Sequence, residues 1–183
     1  DAKNFPDMVA YLDKQVGQLV NHLKTAGIWD NTILIFTADN GTSTRIVSEL
    51  ADGTKVRGGK GTPLHTGTHV PLIITWGDKI EKGRVCNRLV DLTDFMPTFA
   101  DAMQVQIPAE WYPDGVSLYP ELVGDTPLEK KLILCHFNPL WPTTPSPLAS
   151  RFAQTADYKY YWDGRFYNVS NDLNEENPLD VSH

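Results

Sequence analysis

Residues 32 to 38 are almost wholly apolar or β-branched, and they run directly into Asp39-Asn40-Gly41. A run of that kind suits a central strand of a parallel sheet covered on both faces, because a half-exposed strand would alternate with polar residues. The turn that follows has a plain explanation, since Asp, Asn and Gly tolerate left-handed backbone and bond their side chains to it. Its position adds a second one, because ligands of open α/β sheets bind just beyond the carboxyl ends of such strands. There a carboxylate and an amide carbonyl are hard oxygen donors, suited to Ca²⁺ or Mg²⁺ rather than to zinc or copper. Asp39 and Asn40 are therefore candidate metal ligands.

Upstream, residues 6 to 26 place Met8, Val9, Leu12, Val16, Leu19, Val20 and Leu23 at helical spacing, ending at Gly27. That predicts an amphipathic helix and, with the strand, one αβ half-unit of a doubly wound sheet. Residues 41 to 70 are glycine-rich without a sustained period, which predicts a long loop over the carboxyl edge of the sheet. A second strand is expected over 70–76, and a helix over 91–103 with Asp91 or Asp94 as N-cap and Pro97 in its first turn. A third strand is expected over 131–137, followed by a proline-rich loop over 138–150. Phe152–Thr155, Tyr158–Trp162 and Arg165–Val169, separated by Ala156-Asp157 and Asp163-Gly164, predict an antiparallel meander, after which the polar tail should wrap or fray.

A formal charge of -7 with no basic stripe argues against nucleic acid as a partner. No apolar run approaches the roughly 18 residues of a membrane span. Cys86 and Cys135 form neither a zinc pattern nor a disulfide framework, and free buried thiols are the expectation. No signal peptide is visible at Asp1 and there is no initiator methionine, so the chain reads as processed or cut from something longer.

Three stretches together carry a family pattern: residues 30 to 41, Gly58-Gly59-Lys60-Gly61-Thr62, and residues 67 to 76 from Gly67-Thr68-His69 to Trp76. They resemble the second half of the type I sulfatases of the alkaline phosphatase superfamily. The match continues through residues 90 to 98, 114 to 118, 158 to 160 and 166 to 168, so it covers nearly the whole chain in family order. The resemblance implies an α/β fold, with residues 1–104 as the carboxyl-terminal part of an alkaline-phosphatase-like doubly wound sheet. Residues 105–183 would form a small antiparallel subdomain. It further implies that Asp39 and Asn40 hold calcium, with magnesium as a substitute, and that Lys60 touches the sulfate and the catalytic residue. In those enzymes a formylglycine, made within Cys/Ser-x-Pro-x-Arg, attacks sulfur as its hydrate while metal and lysine neutralise charge.

This chain has no Cys/Ser-x-Pro-x-Arg, and the early paired aspartates of the metal site are missing as well. The resemblance therefore implies a fragment whose partner is the amino-terminal half of the same protein, and which alone does not turn over. Its substrate would be a sulfated small molecule or sulfated glycan, met in the periplasm or outside the cell. His65 and His69 stand where many relatives have an acidic residue and Arg. Their spacing mimics a helical zinc pair, but Gly67 and Pro71 argue against a helix there. His69 and Arg57 are candidate substrate contacts, with hydrogen bonding or simple solvation as the alternatives. Trp111, Tyr112, Trp141 and Trp162 are expected to pack in the core or between domains. Two rival functions stay open: a phosphodiesterase or phosphonate monoesterase of the same superfamily, and a non-catalytic binding module.

Overall fold

The computed structural model describes residues 2–124, 126–127, 130–139 and 149–180. Helix α1, Phe5–Thr25, has Pro6 and Asp7 in its first turn and His22 and Lys24 in its last, each placed to suit the helix dipole. It closes on Gly27 at φ 70°, whose N–H bonds the Lys24 carbonyl at 3.0 Å. No residue of α1 is buried, and Met8, Leu12 and Leu19 are 65%, 47% and 48% exposed. Val16, Val20 and Leu23 are half-buried, so among the described residues its apolar stripe is only partly covered.

Strand β1, Leu34–Thr37, pairs with β4, Leu72–Thr75, with Phe36 opposite Ile73. The pairing is antiparallel, so the parallel neighbours expected for β1 do not occur among the described residues. Nor is the pair covered on both faces, since Ile73 is 62% exposed. The other face packs against helices α3, Phe95–Met103, and α4, Tyr119–Val123, where Ile35, Ile74, Trp76, Phe95 and Phe99 line one apolar crevice.

Between β1 and β4 the expected long loop contains a short hairpin of β2, Val47–Glu49, and β3, Lys55–Arg57. Asp52-Gly53 turns it: Gly53 sits at φ 85° and the Asp52 carboxylate accepts from Thr54 N–H at 2.9 Å. One helical turn, α2, His65–Thr68, follows. This corrects the expectation that Gly67 and Pro71 forbid a helix, because α2 stops before Pro71. Gly67 is needed there for closeness, since a Cβ on it would lie 2.4 Å from the Gly59 carbonyl.

Asp91 caps a 3-10 turn, Leu92–Asp94, that leads into α3 through a reciprocal capping box. Asp94 is fully buried, and its carboxylate accepts from Val116 N–H at 2.7 Å and from the Lys130 ammonium at 2.8 Å. The crossing at residues 114 to 116 is thereby pinned to the start of α3. A Cβ on Gly115 would lie 2.0 Å from the Thr93 carbonyl, so that approach requires glycine.

The carboxyl-terminal strands β6, Ser150–Gln154, β7, Tyr158–Tyr161, and β8, Phe166–Asn168, form the expected antiparallel meander, and β5, Ile133–Phe137, the separately expected strand, pairs with β6 to make it four-stranded. Phe152, Tyr161, Tyr167 and Val169 bury one face, with Cys135 packed against them. Both cysteines are free as expected, but Cys86 is exposed and Cys135 half-buried, not buried. The aromatic expectation fails for Trp111, Tyr112 and Trp162, which are 62%, 82% and 81% exposed. Trp162 falls on the outward side as β7 enters its Asp163-Gly164 turn, and Tyr112 leaves a 3-10 turn at φ 41°. Trp141, Pro142, Pro145 and Pro147 lie outside the described residues. No described helix is long and apolar enough to cross a membrane.

Candidate active site

The turn after β1 is clasped by the loop that precedes β4. Gly41 N–H donates to the Gly67 carbonyl at 2.8 Å, Lys60 N–H to the Thr42 carbonyl at 2.9 Å, and Gly58 N–H to the Ile46 carbonyl at 3.0 Å. Four glycines, Gly41, Gly58, Gly59 and Gly67, make this approach possible. A Cβ on Gly41 would stand 2.0 Å from the Thr66 carbonyl oxygen, and one on Gly59 would stand 2.5 Å from Gly67 N. The clasp therefore brings Asp39 and Asn40 to the same edge as Lys60 and His69, which are separated from them by some twenty to thirty residues of chain.

Backbone atoms supply those contacts, so a side chain at Gly41 must force the two loops apart. Gly41→Ala is expected to lower the unfolding midpoint of the protein. If it were unchanged, the clasp would not be what assembles this edge.

Asp39 is exposed, Asn40 half-buried and Lys60 exposed. Two oxygen donors fall short of the six to eight that calcium takes. Among the described residues no cluster of three or more His, Cys, Asp or Glu can hold a metal ion. The donor chemistry at Asp39 and Asn40 thus fits part of a hard-cation site, to be completed by oxygens from elsewhere. Arg57, also exposed, donates from Nη1 to the Thr44 carbonyl at 3.3 Å, which ties it to the hairpin.

The histidines behave differently from one another. His65 is buried at 8% exposure, whereas His69 is exposed, and their Nε2 and Nδ1 atoms lie 3.0 Å apart. The rings bond each other through a shared hydrogen, so the pair needs no zinc between them.

Behind α2 lies a buried polar cluster that the sequence did not reveal. Glu175, in the tail at φ 55°, has Oε1 2.9 Å from the Lys159 ammonium, and both side chains are 0% exposed. The same carboxylate accepts from His65 N–H and from the Tyr161 hydroxyl. Lys159 also donates to the Pro63 carbonyl and lies 4.0 Å over the Phe152 ring. The tail therefore wraps, and it fastens the loop bearing Lys60 and His69 to the carboxyl-terminal sheet. One signal was available: the alternation that turns Tyr161 inward from β7 turns Lys159 inward too.

Burial holds Lys159 below the ordinary lysine range, against the opposing pull of Glu175. Tyr161 is pushed up by burial and by its bond to Glu175. For His65, burial first, then the charges of His69 and Lys159, lower the pKa from 6.5 to about 4. An unfolded chain takes up that proton as pH falls through 6.5, while the folded one resists until about 4. Stability is therefore full above 6.5 and declines as pH drops toward 4, by about 3 kcal/mol at about 1.4 kcal/mol per pKa unit. Comparing unfolding midpoints of the intact protein and of His65→Gln at pH 7 and pH 4.5 checks this. The variant should lose less on acidification, and equal losses would contradict it.

The sulfatase family model matches residues 2–105. The chain is 35% identical over 145 residues to an uncharacterized sulfatase, YdeN, of Escherichia coli, covering 79% of this chain and 24% of that protein. It is 30% identical over 159 residues to human arylsulfatase A, covering 86% of this chain and 30% of that protein. Its fold matches, at TM-score 0.71 and 26% identity, a structure solved in complex with its substrate D-glucosamine-2-N,6-O-disulfate, over 95% of this chain and 35% of that one. The chain thus spans a quarter to a third of the length of the curated relatives it matches.

Proposed function

This chain belongs to the sulfatase family, and from that premise we infer that it is part of an enzyme hydrolysing sulfate esters, to which it contributes half of a calcium site and the charge-neutralising lysine. The observation that carries this reading is the glycine clasp, which sets the Asp39-Asn40 turn beside the loop of Lys60.

In this reading Asp39 and Asn40 hold the cation through a carboxylate and an amide oxygen, and magnesium is the substitute their chemistry allows. Bound there, the cation supplies positive charge to sulfate oxygens. Lys60 places an ammonium against the same sulfate, where stabilising charge that develops as the ester bond breaks lowers the barrier. His69 and Arg57 offer hydrogen bonds to the rest of the substrate, a sulfated small molecule or a sulfated sugar. The formylglycine nucleophile belongs to the amino-terminal portion of the whole protein. That portion also supplies the remaining metal ligands and the cover for α1 and Ile73, whose exposure supports the need for it.

The experiment is to incubate the intact protein with sulfated hexosamines, an aryl sulfate and an aryl phosphonate monoester. Sulfate release exceeding phosphonate hydrolysis supports the proposal. Faster phosphonate hydrolysis would move the assignment to the rival esterase, and binding without turnover of any ester would favour a non-catalytic module.

A further inference from the structure

Lys60 is exposed and its ammonium has no partner among the described residues, so packing of its own side chain does not set its place. Gly61 beside it is equally unsupported, since it sits at φ 80° and a Cβ there would meet no atom within 4 Å. The backbone on either side must hold the lysine. On the amino-terminal side the clasp does so, through Lys60 N–H to the Thr42 carbonyl at 2.9 Å. The loop is then closed on itself. Thr62 donates from its N–H and its hydroxyl to the Gly59 carbonyl, at 3.0 Å and 2.6 Å, and Gly59 N–H donates to the Thr66 carbonyl at 3.3 Å.

The carboxyl-terminal side of this closed loop is anchored on one residue of the tail. Glu175 accepts His65 N–H on Oε1 at 2.5 Å, the Lys159 ammonium on the same oxygen at 2.9 Å, and the Tyr161 hydroxyl on Oε2 at 2.5 Å. Lys159 also donates to the Pro63 carbonyl, and the Tyr161 hydroxyl lies 3.1 Å from that carbonyl. Pro63 and His65 are thus gripped through one carboxylate. Every partner it holds is a donor facing a group that can only accept, so the directions of these bonds are fixed. A buried ion pair adds little net stability over well-packed apolar side chains, but it fixes geometry, and charge-assisted bonds do so most strongly. The pair is neutral as a whole, so what it transmits to the loop is position.

We propose that Glu175 is a positioning residue for Lys60: through Lys159 and Tyr161 it fixes Pro63 and His65, and so holds the loop that presents the lysine. The carboxyl-terminal tail thereby contributes to turnover from more than a hundred residues away in sequence. The role of Lys60 rests on the sulfatase reading, whereas the anchoring of its loop stands on the geometry alone.

Two mild variants of the intact protein test this, each assayed where its unfolding curve shows it folded. Glu175→Gln keeps an acceptor for His65 N–H, and Tyr161→Phe removes one hydroxyl without stranding a charge. Amide hydrogen exchange tests the anchoring. In both variants the amides of Lys60, Thr62, His65 and Gly67 should exchange about tenfold faster or more, with those of β6 and β7 unchanged. Unchanged exchange in the loop, or acceleration spread evenly over β6 to β8, would overturn the proposal. Kinetics test the role. Glu175→Gln should lower kcat for a sulfate ester about tenfold, and Tyr161→Phe less, with KM and bound calcium retained. In a Lys60→Ala background neither substitution should lower kcat further, and an equal loss there would mark a general structural role and overturn the proposal. An intact protein that turns over no sulfate ester would instead defeat the sulfatase reading, with the exchange rates still deciding the anchoring.

Discussion

Asp39→Ala in the intact enzyme is expected to remove bound calcium and sulfate ester turnover together. The Asp39 carboxylate is the anionic donor of the pair, and a cation that takes six to eight oxygens does not tolerate the loss of its charged ligand from an already shared set. Asn40→Ala should act the same way more mildly, because it removes a neutral donor. Lys60→Ala separates the two contributions: calcium stays, while turnover falls on the order of 10²–10³-fold, the usual cost of removing one donor aimed at developing charge. Metal analysis of the purified variants beside initial rates makes the comparison. Turnover retained by Asp39→Ala, or calcium lost from Lys60→Ala, would separate these residues from the roles given to them.

The largest effect on stability is expected at the tail. Glu175→Ala leaves the Lys159 ammonium buried with its counter-charge gone, and also orphans His65 N–H and the Tyr161 hydroxyl. Breaking a buried pair from one side costs about 3–5 kcal/mol, because the remaining charge keeps its desolvation penalty and loses its compensation. Glu175→Gln retains an acceptor for the neutral donors and should cost less than Glu175→Ala. Denaturant midpoints of the intact protein give the ranking. If Glu175→Ala cost under about 1 kcal/mol, within the range of an exposed pair, the cluster would not be fastening the loop.

Much of the frame was legible in the sequence because it rests on periodicity and turn chemistry. α1, β4, α3 and the three meander strands β6, β7 and β8 follow from spacings of apolar residues and from Asp-Gly or Pro signals, and of the two caps offered, Asp91 and Asp94, Asp91 caps the 3-10 turn that leads into α3. The β2–β3 hairpin was missed although Asp52-Gly53 announces it, since its strands are too short to show a period. α2 was missed because Gly67 counts against a helix by propensity, while the clasp demands a residue without Cβ there. The antiparallel partner of β1 could not be inferred from an apolar run, which is silent on strand direction.

At the candidate site, Asp39, Asn40, Lys60 and His69 were nominated by composition and resemblance, and the hydrogen bonds of the clasp put their segments side by side. For the cluster of Lys159, Tyr161 and Glu175 the inward alternation of β7 was a signal for Lys159, but its partners Pro63, His65 and Glu175 are joined across stretches of sequence that no local pattern links. Trp111 and Tyr112 show the reverse error, in which large aromatic area suggested packing where the backbone turns outward.

The central claim, that this chain completes a calcium-dependent sulfate ester hydrolase, is tested most directly by stripping the intact protein with a chelator and titrating calcium back while sulfate release is measured. The account predicts that release stops on stripping and returns with one calcium per protein, and that the Asp39→Ala variant does not recover. Sulfate release that persists without metal, or that returns equally well in Asp39→Ala, would contradict it.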